Sequence, residues 1–220
     1  MTSIVQPIQF IRADQSDETA RADLYGLLAG LFAAPPQLAL LRAIASAPMG
    51  GDSLLEQAWH ALMRAADQAL QSPARDAVRE EYERLFVGIG KPEVMLYGSF
   101  YLSGFLMEKP LVALRTDLAL LGLERADAVV ESEDHVASLC EVMRYLITAD
   151  DADDADPDAA PASAQASLAA QKDFFYGHMH PWVGTMCNAI AAHPQSRFYR
   201  AVAALAGQFF EVEAQAFDMT

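Results

Sequence analysis

An all-α protein, a single compact bundle of about ten helices, is the fold class the sequence predicts, and three observations predict it. Hydrophobic residues make up 53% of the 220 residues and are rich in Ala and Leu, both strong helix formers. Apolar residues recur at three- and four-residue spacings through most of the chain. Short runs of Val, Ile and Thr bounded by turn residues, which mark strands, are hard to find.

Each helix has its own start and stop. Residues 1–16 are expected to be a flexible N-terminus ahead of one domain over 17–220. Asp17 and Glu18 open the first helix, Leu24, Leu27, Leu28 and Leu31 form its stripe, and Pro35-Pro36 ends it. A short helix over Leu38 to Ala45 follows. Met49-Gly50-Gly51 breaks the chain, and Leu54, Leu55, Ala58, Leu62 and Met63 mark the next amphipathic helix. Ser72-Pro73 reads as a cap and first-turn proline for a helix carrying Val78, Tyr82, Leu85 and Phe86 on one face. Gly88, Gly90 and Pro92 stop it, and helix resumes only around Ser99. Pro110 begins another, with Leu111, Leu114, Leu118 and Leu121 along it and Gly122 to close it.

Ser132 is expected to cap a helix with Glu133 and Asp134 in its first turn, running through Leu139, Val142, Met143 and Leu146. Six aspartates between Asp150 and Asp158 lie among alanines and prolines with no basic residue nearby, so 149–163 is expected to be a disordered, self-repelling loop. Helix is expected again near Ala164, through Phe174 and Phe175; Pro181 starts a further one, and Phe198, Val202, Leu205 and Phe209 define the last.

Composition narrows the function. A net charge of −15 argues against nucleic acid, whose phosphates are bound by clustered Lys and Arg, and favours a basic partner or simple solubility. The longest apolar run, around Leu118 to Leu123, is far shorter than the roughly 20 residues that span a bilayer, so no stable membrane insertion is expected. The start of the chain lacks a basic segment followed by an apolar core, which points to the cytoplasm. Cys140 and Cys187 sit in separate helical patterns, as reduced, packed thiols would.

Catalytic signatures are missing, and no cofactor is expected. No Glu-x-x-His pair of the kind that builds a carboxylate-bridged metal centre occurs. Gly88-Ile89-Gly90-Lys91 lacks the spacing and hydroxyl residue of a phosphate-binding loop. What remains is apolar and aromatic surface: Tyr82, Leu85, Phe86, Tyr97, Phe100 and Tyr101 are either core residues or the floor of a trough rimmed by Glu81, Asp134 and His135. Such a trough would receive an amphipathic helix or extended apolar segment, its acids meeting basic residues. His135 has two readings, a structural histidine in the first turn of its helix or a groove residue.

Glu81-Tyr82-Glu83-Arg84-Leu85-Phe86-Val87-Gly88, then Pro92, then Tyr97-Gly98-Ser99-Phe100-Tyr101, resembles the pattern of the TorD/DmsD family of cytoplasmic chaperones for molybdenum-containing redox enzymes. The similarity continues through Asp134-His135 and Met143, His178 and Trp182, and Phe198-Tyr199, covering about residues 20 to 205. It implies a TorD-like all-helical, non-catalytic protein that binds the twin-arginine leader of an apo-molybdoenzyme, helps cofactor insertion and delays export. It also adds His178 and Trp182 to the candidate leader-binding residues. Competing readings are a helical nucleotide-binding or hydrolytic protein and a structural helical adaptor. Monomer and homodimer both remain open.

Overall fold

The computed structural model describes residues 17–48, 50–71, 74–88, 90–126, 131–148 and 160–219. The expected flexible N-terminus and most of the expected acidic loop, 149–159, lie outside them. The described residues form α1 (Asp17–Ala33), α2 (Leu38–Ala45), α3 (Leu54–Leu70), α4 (Ala74–Tyr82), a π-helical turn (Glu83–Val87), α5 (Gly98–Ser103), α6 (Lys109–Leu120), α7 (Val136–Thr148), α8 (Ala160–His178), α9 (His180–Ala192) and α10 (Phe198–Asp218). The all-α expectation holds: the only extended pairing among them is one antiparallel bridge between Tyr97 and His135.

Three helix pairings organise the bundle. α1 lies along α7, and α10 lies against α3 and α9. Their shared interior holds Tyr25, Phe32, Phe175, Trp182, Tyr199 and Phe209, all fully buried. Aromatic rings meet edge to face there, as Tyr25 and Phe209 do at 4.8 Å, the arrangement their quadrupoles favour. Cys140 and Cys187 are buried free thiols.

Three expectations need correction. The helix of Val78 and Tyr82 does not continue regularly through Phe86, because the chain widens into the π-helical turn, which re-aims Leu85 and Phe86 into the core. α8 begins at Ala160, so the last four residues expected in the acidic loop belong to its first turn. Ser132 does not cap α7: its hydroxyl bonds the carboxylate of Asp134, and helix starts only at Val136.

A buried polar cluster ties four helices. Arg21 of α1 holds Glu213 of α10 in a fork, Nε to Oε1 at 2.7 Å and Nη2 to Oε2 at 2.8 Å. Tyr25 donates to the same carboxylate at 3.0 Å, and Arg21 also reaches Gln171 of α8. Gln171 in turn donates to the Leu146 carbonyl of α7. Bidentate pairing of this kind fixes orientation as well as energy.

The first turn of α10 is capped from outside its own helix. The buried Glu81 carboxylate of α4 accepts the amides of Arg197 at 2.8 Å, Phe198 at 3.1 Å and Tyr199 at 2.8 Å. These are N–H groups that have no partner within the helix, and negative charge is favourable at that end. Replacing Glu81 by Ala is expected to destabilise the fold by roughly 2–6 kcal/mol, since each of the two buried donors, the amides of Phe198 and Tyr199, costs about 1–3 kcal/mol when left unpaired. Glu81→Gln, which keeps an acceptor, is expected to cost less; urea unfolding of both variants reads the difference, and an alanine variant as stable as wild type would show the cap to be dispensable.

Candidate functional site

The motif-rich centre of the chain is built by a tight reversal. Gly88 has φ +66°, and a Cβ there would lie 2.2 Å from the Lys91 carbonyl oxygen, so only glycine fits. Its amide closes the π-helical turn on Glu83 at 2.7 Å, and Val94 donates to Leu85 at 2.8 Å as the chain doubles back. Val94, Met95 and Leu96 are buried along this return, and Tyr97 emerges at its end.

There the chain meets the segment before α7. Val136 donates to Leu96 at 2.8 Å and Gly98 to Asp134 at 3.0 Å, around the Tyr97–His135 bridge. The buried Asp134 carboxylate accepts the Ser99 amide at 2.8 Å and so caps α5. Gly98 packs against Trp182: a Cβ there would sit 2.9 Å from the indole Nε1. The indole donates to the His178 carbonyl at 2.7 Å and stacks on Tyr101 with ring centroids 5.4 Å apart. Burial pushes the Tyr101 phenol up to about 12, so it serves as a neutral donor to the Met95 carbonyl. His178 Nε2 lies 2.7 Å from Asp117 Oδ2 of α6.

The predicted residues therefore separate into two groups. Glu81, Tyr82, Leu85 and Phe86 are buried: Glu81 caps α10, Tyr82 donates to the Phe32 carbonyl at 3.1 Å, and Phe86 meets Phe32, Tyr82 and Tyr199 edge to face. The Glu81 carboxylate is thus engaged by the start of α10 and buried rather than exposed on a rim. Tyr97, Phe100, Tyr101, Asp134, His135, His178 and Trp182 lie instead around α5 and the start of α7, with Tyr97 and Phe100 partly exposed.

Beside this second group an open groove of about 450 Å³ runs between α1, the end of α6 and α7. Ala29, Gly30 and Ala33 line it from α1, and Ala137, Val142 and Tyr145 from α7. Small residues along both helices leave the space that larger side chains would fill. Its surface is overwhelmingly apolar, and Glu124, Glu131, Glu133 and Glu141 stand around it with Arg125. Burial raises the proton affinity of Glu133, but Arg115 at 2.9 Å and Arg125 at 3.6 Å outweigh it and hold the carboxyl below its ordinary range. Glu131 accepts the Tyr97 hydroxyl.

Of the predicted site residues, His135 lines the groove directly and Tyr97 reaches it through Glu131. Sequence reasoning missed Glu124, Glu133, Glu141, Val142 and Tyr145 as groove residues. A signal existed for α7: Ser138, Glu141, Val142 and Tyr145 fall at i, i+3, i+4 and i+7, a face that leaves Tyr145 exposed in place of a surface charge. Among the described residues, no group of three or more His, Cys, Asp or Glu side chains is arranged to hold a metal, and no helix is long and apolar enough to cross a membrane.

The described residues thus form an all-helical body with an acid-rimmed apolar groove. The sequence profile described as Nitrate reductase delta subunit matches residues 51–188, and the chain belongs to that family, whose members are chaperones of molybdoenzyme maturation and not themselves catalysts. No curated protein matches the sequence closely enough to count as a relative.

His135 gives the site a pH dependence. Its Nδ1 accepts the Ala137 amide at 3.2 Å, which only an unprotonated nitrogen does, and its ring meets Tyr97 edge to face at 5.0 Å. Burial lowers the imidazole's proton affinity, outweighing the opposite pull of Glu131 and Asp134. The unfolded chain takes up a proton near pH 6.5 and the folded chain only at lower pH, so this contribution is complete above that value and is lost as pH falls toward the folded pKa. Wild type is therefore expected to lose stability as pH falls below about 6.5 more steeply than His135→Asn, which keeps an acceptor without the titration. Parallel unfolding curves across that range would assign the dependence to another group.

Proposed function

We propose that this protein binds the twin-arginine leader of an apo-form molybdenum-containing oxidoreductase in the cytoplasm, assists insertion of its cofactor and delays its export until maturation is complete. The observation that carries the reading is the groove, with an apolar floor and four glutamates around it. A twin-arginine leader offers the complement, two adjacent cations beside an apolar helix-forming stretch. The apolar stretch lies on the floor between α1 and α7, and the arginines meet Glu124, Glu131 and Glu141. His135 borders the peptide, while Tyr97, Phe100, Tyr101, Asp134, His178 and Trp182 hold the α5–α7 junction that fixes the groove's edge. Family membership supports the client class. The net charge of −15 supports attraction of a basic segment.

Calorimetry and stopped-flow binding with leader peptides from the organism's own molybdoenzymes test this. Tyr145→Ala, at a half-exposed floor residue, is expected to weaken binding by roughly 1–3 kcal/mol, the range of a buried aromatic anchor. Glu124→Gln with Glu141→Gln is expected to cost about 0.2–1 kcal/mol per charge, mostly as slower association, and to flatten the salt dependence. Absence of binding to every such leader and to the full-length apoenzymes would remove the reading.

A further inference from the structure

The sequence ahead of α1 has the chemistry the groove is shaped to take. Residues 4–11 carry Ile4, Val5, Ile8, Phe10 and Ile11, and Arg12 follows directly. No Asp or Glu precedes Asp14, although the chain has 30 of them, so this segment is the one stretch of the acidic chain's start that carboxylates would attract rather than repel. Segments that stay solvated are poor in aromatic and β-branched residues and rich in charge. Residues 4–11 are the reverse, and they gain by covering apolar surface. The groove offers that surface on α1 and α7, with glutamates around it for the arginine.

Reach and order fit as well. Arg144 of α7 packs over Gly26 of α1, where an added Cβ would lie 3.2 Å from its Cδ, whereas Ala29, Gly30 and Ala33 share the groove with Ala137 and Ser138. α7 therefore runs antiparallel to α1, and of the glutamates on α7 and just before it, Glu141 stands nearest the start of α1. A helix rises about 1.5 Å per residue, which places Ala29 to Ala33 roughly 18–24 Å along the axis from Asp17. An extended chain covers about 3.4 Å per residue, so Arg12 reaches at most roughly 17 Å from Asp17 and Phe10 roughly 24 Å. Arg12 thus comes level with Glu141, and Phe10 and Ile8 come level with the floor beyond it. Glu141 Oε2 already takes Arg144 at 3.2 Å, with both side chains half exposed, and a carboxylate has sites for a second donor.

We propose that residues 4–12 occupy the groove of the client-free chain, and that a leader binds by displacing them. The occupancy stands apart from the leader reading, whereas the displacement rests on it. Tethering favours the chain's own segment over a second copy's, because a short linker holds it at an effective concentration on the order of millimolar. The net charge of −15 also opposes self-association. With one cation where a twin-arginine leader has two, the segment is the weaker ligand and yields to a client.

The test uses the full chain with photoreactive benzoylphenylalanine in place of Phe10, irradiated and read by mass spectrometry of the crosslinked peptides. Crosslinks are expected within one chain, to α1 around Gly30 and to α7 between Ala137 and Tyr145. Gly30→Leu, which fills the floor, is expected to remove most of them. Separately, leader peptides from the organism's own molybdoenzymes are titrated into wild type and into Ile8→Ser with Phe10→Ser and Arg12→Ser. The triple variant is expected to bind leader about tenfold more tightly and faster, since a groove occupied about nine-tenths of the time weakens apparent affinity by that factor. Ile8→Leu with Phe10→Leu, which keeps the segment apolar, is expected to bind as wild type does. Crosslinks to other elements, crosslinks joining two chains, no crosslinks, or equal leader affinity in wild type and the triple variant each overturn the proposal. If no leader binds either form, the leader reading falls by itself, and the crosslinks still decide whether the segment occupies the groove.

Discussion

The carboxylate of Glu81 is the contact on which the rest of the arrangement depends. It lies near the end of α4 and gathers the amides of Arg197, Phe198 and Tyr199 at the start of α10, a helix that begins more than a hundred residues later. That single group fixes where the last helix starts. α10 in turn covers α3 and α9 and brings Glu213 to the fork of Arg21 on α1. Once α1 is held there, its other face lies along α7 and the groove between them has its position. The polar contacts are few, but each joins elements distant in sequence, and helix packing alone does not specify such registers.

Asp134 repeats the device at the start of α5. It accepts the Ser99 amide and so caps α5 from the segment before α7, while backbone bonds from Val136 to Leu96 and from Gly98 to Asp134 lock the two stretches together. One side of this junction leads through Tyr97 and Glu131 to the groove, and the other leads through Ser99 to the exposed loop after α5. The groove's edge thus has a rigid support in this junction.

Much of the fold was legible because helices announce themselves locally. α2 matches Leu38 to Ala45, and Pro35-Pro36 and Gly122 stop their helices where steric rules require. What was not legible depends on long-range partners. Ser132 has every local property of an N-cap, yet its hydroxyl is taken by Asp134, and Asp134 is taken by α5. Glu81 looked like an acidic rim because a sequence shows its charge and not the three amides that absorb it. Leu85 and Phe86 were weighed as groove or core, and the π-helical turn, invisible to a 3.6-residue period, directs them into the core. The candidate groove was least legible, since its α1 side consists of alanines and a glycine that carry no chemical signature.

Gly30 shows why that floor matters. It sits in the middle of α1, where glycine costs about 1 kcal/mol relative to alanine. Its φ is not positive, and a Cβ added there would meet nothing within 4 Å, so neither backbone geometry nor packing requires glycine. The same is not true of Gly88 or Gly98, which the turn and the Trp182 ring respectively demand. A side chain at position 30 would add helix stability and apolar contact, but it would occupy the groove beside Ala29, Ala33 and Val142. The bare floor therefore trades stability for open apolar surface, the exchange that binding sites commonly show. Around it the carboxylates stay at the rim where water still reaches them, so a ligand's cations are met without burying an unpaired charge.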